Sequence, residues 1–292
     1  KTAYEIRLSL VGSEMCIRDS FTEAYHYINK AHSLFEEHPA QKNECNDMFI
    51  NTIFNKISVE NNLRTFEEAL KSVKYLKTLE IRNTPLKNSL FFRTVIYELS
   101  IYCLSIDFNT GYKRIKELER FFASSELDSA NISTWYVVHY QAAFLCIGAE
   151  QFKMANKFLN KIVNRPTQTD SRTDIVCYSK ILLLLSHYEQ GSTDHLEYAV
   201  KSVYRFLLKK DMLFAFEKAI LKFIKKMPTL DSKDLTIKAF KRLKNELEDI
   251  MKDPYERGAM EYFDFISWLE SKIYKRPFNE LIKEKIKSGE YS

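Results

Sequence analysis

The chain has 292 residues, 45% hydrophobic and 14% aromatic, with only 6 Gly and 6 Pro. Such a composition fills a sizeable core and leaves little material for turns, which excludes a collagen-like, low-complexity or disulfide-scaffold protein. A net charge of +5 does not by itself call for nucleic acid or a membrane surface, and no stretch approaches the ~18 to 20 uninterrupted apolar residues of a membrane span.

Residues 1–20, KTAYEIRLSLVGSEMCIRDS, show neither a helical nor a strand period and give way abruptly to an amphipathic pattern at Phe21. The string resembles the in-frame translation of a transposase-type sequencing-library adapter. One adapter element accounts for Lys1 to Ile6 and a second for Ser9 to Ser20, and the gap between them has the length of a sample index. The segment is therefore expected to be foreign and is set aside as a tag would be. The native N-terminus is expected to be missing, so a signal peptide is neither shown nor denied. The segment carries three basic and three acidic residues, so the net charge is unaffected. Cys45, Cys103, Cys146 and Cys177 remain, widely spaced and without CxxC pairs, which reads as buried free thiols in a reducing compartment.

From Phe21 onward an apolar stripe of helical spacing recurs. It runs Phe21, Ala24, Ile28, Ala31; Phe66, Ala69, Val73, Leu76; Tyr112, Ile115, Glu119, Phe122; Phe152, Ala155, Leu159, Ile162; Leu196, Ala199, Val203, Phe206; and Phe240, Leu243, Leu247, Ile250, with Glu119 its one break. The period is about 44 residues. Between these helices a second set is expected near residues 43–58, 85–106, 132–149, 172–190, 212–227 and 254–275. In the third of these, Tyr136, Tyr140, Ala143 and Ile147 form one apolar face and Trp135, Val138, Ala142 and Cys146 another, so it is covered on two sides. Inner helices alternating with outer ones are what a stack of helical hairpins requires.

The punctuation agrees. Thr65 with Glu68 and Ser171 with Asp174 resemble capping boxes, Thr84–Pro85 and Asp253–Pro254 place a cap before a first-turn proline, and Glu256 falls three after Asp253. Gly191 closes one helix, and Pro166 and Pro228 follow the ends of others. Residues 21–276 are expected to be one array, cut at its start in mid-repeat, with Pro277 opening a Lys-rich terminal cap over residues 277–292.

Phe66, Ala69, Val73 and Leu76, and again Gly148, Ala155, Leu159, Ile162 and Pro166, resemble the second-helix spacing of tetratricopeptide repeats, lengthened from that family's ~34 residues. The longer period leaves HEAT-like and other hairpin stacks as alternatives. Residues 263–286 are similar to the ends of uncharacterised tetratricopeptide-like bacterial proteins, a likeness that carries no activity. The fold expected is an all-α, right-handed α-solenoid of five to six hairpins.

Chemistry is sparse. The six histidines form no HExxH or Cys/His set, phosphate-loop and nucleophile-elbow motifs are absent, and acidic residues lie on wet helix faces. No metal, cofactor or catalysis is expected. Inner helices line the concave side of such a stack, so Arg93, Tyr97, Tyr136, His139, Tyr140, Tyr178, His187 and Tyr188 are candidate partner contacts, with packing against the next hairpin as the alternative for each. A basic patch comprises Lys201, Arg205, Lys209, Lys210, Lys218, Lys222, Lys225 and Lys226. It reads first as the solvated faces of two adjacent helices, then as a site for an acidic peptide, then as one for nucleic acid or a membrane surface.

The sequence thus points to a non-catalytic protein-interaction or scaffold module in a bacterial cytoplasm, binding a peptide or partner helix. A peptide-sensing arm of a regulator that has lost its helix-turn-helix, and a basic RNA-binding repeat, are the rival readings. Ala155 marks a close helix approach, so Ala155→Leu should cost ~1 to 3 kcal/mol by overpacking. An unchanged melting temperature would refute the hairpin register.

Overall fold

In the computed structural model, residues 14–39, 46–124, 127, 131–165, 172–192, 196–230 and 232–289 are described, with side chains from Ser20 onward. Among them the secondary structure is entirely helical, and no helix is long and apolar enough to cross a membrane. The chain divides into two compact units, residues 1–107 and 108–292.

The first unit holds α1 (Glu14–Glu37), α2 (Asn46–Asn62), α3 (Phe66–Thr78) and α4 (Thr84–Leu104). Each packs on the next, and α2 also touches α4. Phe49, Ile50, Ile53, Phe54 and Ile57 of α2 meet Ala69, Val73 and Leu76 of α3 in one apolar cluster. The striped residues of α3 are therefore inward, as their spacing predicts. Helix α1 begins at Glu14, inside the segment read as adapter-derived, and passes Phe21 unbroken. Residues 1–13 lie outside the described residues.

The second unit comprises α5 (Phe108–Glu117), the single turn α6 (Glu119–Phe122), α7 (Ile132–Gly148), α8 (Phe152–Asn164), α9 (Thr173–Glu189), α10 (Leu196–Lys209), α11 (Ala215–Lys226), α12 (Lys233–Ile250), α13 (Phe265–Tyr274) and α14 (Phe278–Ser288). From α7 to α14 each helix packs on its successor, while α7 touches α9 and α9 touches α11. Ala155 of α8 is fully buried, in the helix that packs between α7 and α9. The break in the stripe at Glu119 is a break in the helix. The chain leaves α5 at Leu118, which is buried while Glu119 is exposed, and restarts as α6.

Six turns share one construction. The amide just past the turn residue donates to the carbonyl five residues back: Thr65 to Glu60, Asp107 to Tyr102, Gln151 to Cys146, Ser192 to His187, Met212 to Leu207 and Arg276 to Ser271. The residue between, at positive φ, is Arg64, Ile106, Glu150, Gly191, Asp211 and Lys275 respectively. This is the glycine-type helix stop, and here glycine fills it once. Gly191 ends its helix as expected; the other five turns carry no composition signal.

Several capping expectations are corrected. Thr65 makes no cap bond; its hydroxyl donates to the Glu60 carbonyl, and Glu68 pairs with Lys71 instead. Asn83, not Thr84, caps α4 by accepting from the Leu86 amide. Ser171 and Pro166 lie outside the described residues, and Asp174 bonds Arg172. No α-helix starts at Pro254. Residues 251–264 are turns and a short 3-10 segment (Arg257–Glu261), and α13 begins at Phe265 under an Asp264 cap. Glu256 caps a different helix, as described below.

Gly148, at the end of α7, marks a close helix approach. A Cβ there would overlap the Phe108 ring of α5, so Gly148→Ala should cost roughly 1 to 3 kcal/mol, read as a lower urea midpoint. Equal stability would mean that α5 moves aside freely.

Candidate functional site

Between the apolar contacts of the second unit lie buried polar groups, His139 on α7, Ser179 and Ser186 on α9, and Glu217, Asp264, Ser267, Glu270 and Ser271 beyond them. The structure brings Tyr140 and Tyr178 together through residues of the 251–264 segment. Tyr262 stacks on Tyr178 with ring centroids 4.1 Å apart, and its carbonyl accepts from the Tyr140 hydroxyl at 3.0 Å. The Tyr262 hydroxyl donates to Asp174 at 2.9 Å, and Asp174 also takes a forked pair from Arg172 at 3.1 and 2.9 Å. Beside them the Tyr178 hydroxyl donates to Glu217 of α11.

Glu217 and Glu256 together satisfy the start of α11. Glu217 accepts from the Phe214 amide at 3.0 Å, and Glu256 accepts from Ala215 at 3.1 Å and Phe216 at 3.0 Å. A helix N-terminus leaves such amides without partners and carries positive partial charge, so carboxylates suit it. Farther along, Trp268 of α13 donates to Glu189 of α9 at 2.6 Å, Lys272 joins it at 2.7 Å, and Phe263 meets Phe144 edge-on. Tyr140 and Phe144 of α7 and Tyr178 and Glu189 of α9 thus meet the chain's own residues 262–272.

This decides where the inner-helix candidates lie. Tyr136, His139 and Tyr178 are buried. His139 stacks on Trp135 at 3.8 Å and donates from Nδ1 to the Trp135 carbonyl. Tyr140 and Tyr188 are half-buried; Tyr188 contacts Phe240 and Trp268, and burial pushes its hydroxyl up to about 12. His187 is half-buried and its carbonyl closes the Gly191 turn. In the first unit, Arg93 lies over the Phe54 ring at 4.0 Å and bonds Asn51, while Tyr97 accepts from Ser58 and packs on Phe54. The side chains of Arg93, Tyr97, Tyr136, His139, Tyr140, Tyr178 and Tyr188 thus contact other residues of their own unit.

The basic patch has the opposite fate. Lys201, Arg205, Lys209, Lys218, Lys222, Lys225 and Lys226 are exposed, and Lys210 is half-buried. Five of them, with Val200, Tyr204 and Leu221, line an open groove of about 310 Å³ between α10 and α11. Val200 and Leu221 are buried and make its floor, whereas Tyr204 is 40% exposed and Leu208, one turn on, 58% exposed. Glu197 reaches Lys201 at 3.0 Å and Lys225 at 3.8 Å. Arg205, Lys218 and Lys222 form no ion pair with any described residue.

Of the thiols, Cys146 and Cys177 are buried and burial pushes each up to about 12, while Cys103 is half-buried. Cys45 lies outside the described residues. Among the described residues no group of three or more His, Cys, Asp or Glu is placed to hold a metal ion. Comparison with protein families, with curated proteins and with solved structures finds no match.

Tyr262, Glu189 and Glu217 were not singled out from sequence, and Asp174 and Glu256 were read only as helix-start residues. Glu217 carried a signal: it shares a helical face with Leu213, Ile220 and Ile224, where a carboxylate needs a partner. Its pKa is raised, by burial first, against the Tyr178 hydroxyl and backbone bonds that lower it. Asp174 is also pushed up by burial, but the Arg172 hydrogen bond and charge and the Tyr262 hydroxyl outweigh this and leave it below the ordinary value of 3.8.

The two carboxyls therefore give opposite pH dependences. The stability from Asp174 is present above 3.8 and is lost as pH falls through its lowered value. The stability from Glu217 is full below 4.5 and is lost as pH rises through its raised value. Denaturation of Asp174→Asn and Glu217→Gln against wild type should give difference curves that slope in opposite directions between acid and neutral pH. Parallel curves would contradict the assignment.

Proposed function

We propose that the chain is a non-catalytic protein-interaction or scaffold module, built as a tetratricopeptide-like right-handed solenoid and working in a reducing, bacterial cytoplasmic setting. The observation that carries the reading is the unsaturated surface of α10 and α11. Arg205, Lys218 and Lys222, which have no ion pair with a described residue, stand beside exposed Tyr204 and Leu208, a surface suited to another macromolecule. Neighbour-on-neighbour helix packing and the repeated turn support the solenoid, because each repeat of such an array stabilises the next and leaves an extended surface outside.

Faces of α7 and α9, expected to receive the partner, meet the chain's own residues 262–272, so the reading moves to the exposed surface of α10 and α11. The same cations favour RNA as a second reading, with Tyr204 as a stacking platform.

Site-specific photo-crosslinkers at Leu104, Tyr198 and Tyr274, all exposed, test the module reading in cells that express the chain. Recurrent adducts to one or a few proteins are expected. Adducts to nucleic acid alone, or none to protein at any position, would overturn it.

A further inference from the structure

We propose that the groove between α10 and α11 docks an acidic amphipathic helix, with its apolar row on Val200, Tyr204 and Leu221 and its carboxylates against Arg205, Lys218 and Lys222. The proposal rests on the interaction-module reading and names its partner class.

Three features of the groove select this occupant. The first is its floor. Two packed helices leave a furrow between them, and Val200 and Leu221 make the bottom of this one apolar. A partner helix fills such a furrow with residues at i, i+3 or i+4, and i+7, and Leu208 prolongs the apolar strip one turn beyond Tyr204. A phosphate backbone has no apolar edge to place there.

The second feature is that the cations form two rows, Lys201 and Arg205 on α10, Lys218, Lys222 and Lys225 on α11, each at one-turn spacing. They face one another across the floor. An amphipathic helix with acids on both flanks of its apolar face meets both rows at once.

The third is polarity along the groove. Glu197 pairs with Lys201 and Lys225, and these contacts hold its carboxyl below the usual range. That end is already neutralised from within the chain. Arg205, Lys218 and Lys222, toward the other end, have no ion pair with a described residue. A partner's carboxylates therefore gain most at that end.

The test is selection of a displayed library of random helical peptides on the full chain. Enriched peptides should carry an apolar i, i+3/i+4, i+7 row with Asp or Glu on its flanks. Fluorescence anisotropy of a labelled selected peptide should show a loss of about tenfold or more for Arg205→Glu/Lys222→Glu. Lys283→Glu/Lys287→Glu on α14, with the same change in net charge, should bind as wild type does. A scrambled peptide of equal composition should bind weakly, since it keeps the charge and loses the apolar row.

Equal loss in both double variants, or equal binding of the scrambled peptide, would overturn the groove. Selected peptides that crosslink to another face would overturn it while leaving the interaction module standing. Failure to select any peptide, together with retention of a labelled uridine oligonucleotide whose affinity falls steeply with salt, would overturn both.

Discussion

One hydrogen bond, from the amide beyond a left-handed residue back to a carbonyl five residues earlier, fixes how this chain turns. It recurs at six helix ends, and within the two units it closes the connections from α2 to α3, α7 to α8, α9 to α10, α10 to α11 and α13 to α14. The left-handed conformation disfavours a side chain by roughly 1 to 2 kcal/mol, yet only Gly191 escapes that strain. At Ile106 the branched side chain is itself buried, so burial offsets part of the cost. At Arg64, Glu150, Asp211 and Lys275 the side chain is exposed, and the strain is carried without that offset.

The second unit has a further organising element in its two carboxylates at the head of α11. Glu217 comes from inside the helix and Glu256 from a segment 40 residues on, and between them they take up amides that a solvent-exposed helix would give to water. Tyr262 then follows Glu256 into the space between α7 and α9. The segment is irregular because its side chains are held at two separate places, the α11 terminus and Asp174, and a continuous helix would not reach both. Polar groups in this cluster are paired, as low-dielectric surroundings demand.

Much of the architecture was legible because burial imposes a period. The striped helices, their inner partners and the lysine faces all follow from which positions meet water, and the helix break at Leu118 is where the stripe fails. Residues 254–275 misled, because Asp253, Pro254 and Glu256 have the local form of a helix start while the partners that draw Glu256 and Tyr262 away lie 40 and 88 residues distant. The inner-face tyrosines and histidines misled for a different reason. A residue with an apolar body and a polar tip suits an interface, and nothing local records whether the covering surface belongs to another molecule or to the same chain. The groove was visible only as a basic stretch; its floor and the unequal pairing of its cations arise from two helices side by side.

The return of residues 262–278 over α7 and α9 also orders events during synthesis. Tyr140 and Tyr262 are 122 residues apart, and Phe278 stacks on Phe108 from the far end of the unit. The first hairpins have their partners close behind them and can close as they leave the ribosome. The second unit waits with Phe108, Phe144 and Tyr178 uncovered until α13 and the start of α14 emerge. Long-range closure of this kind is slow and leaves apolar surface exposed in the interval, so the second unit is most open to aggregation while its last two helices are still being made.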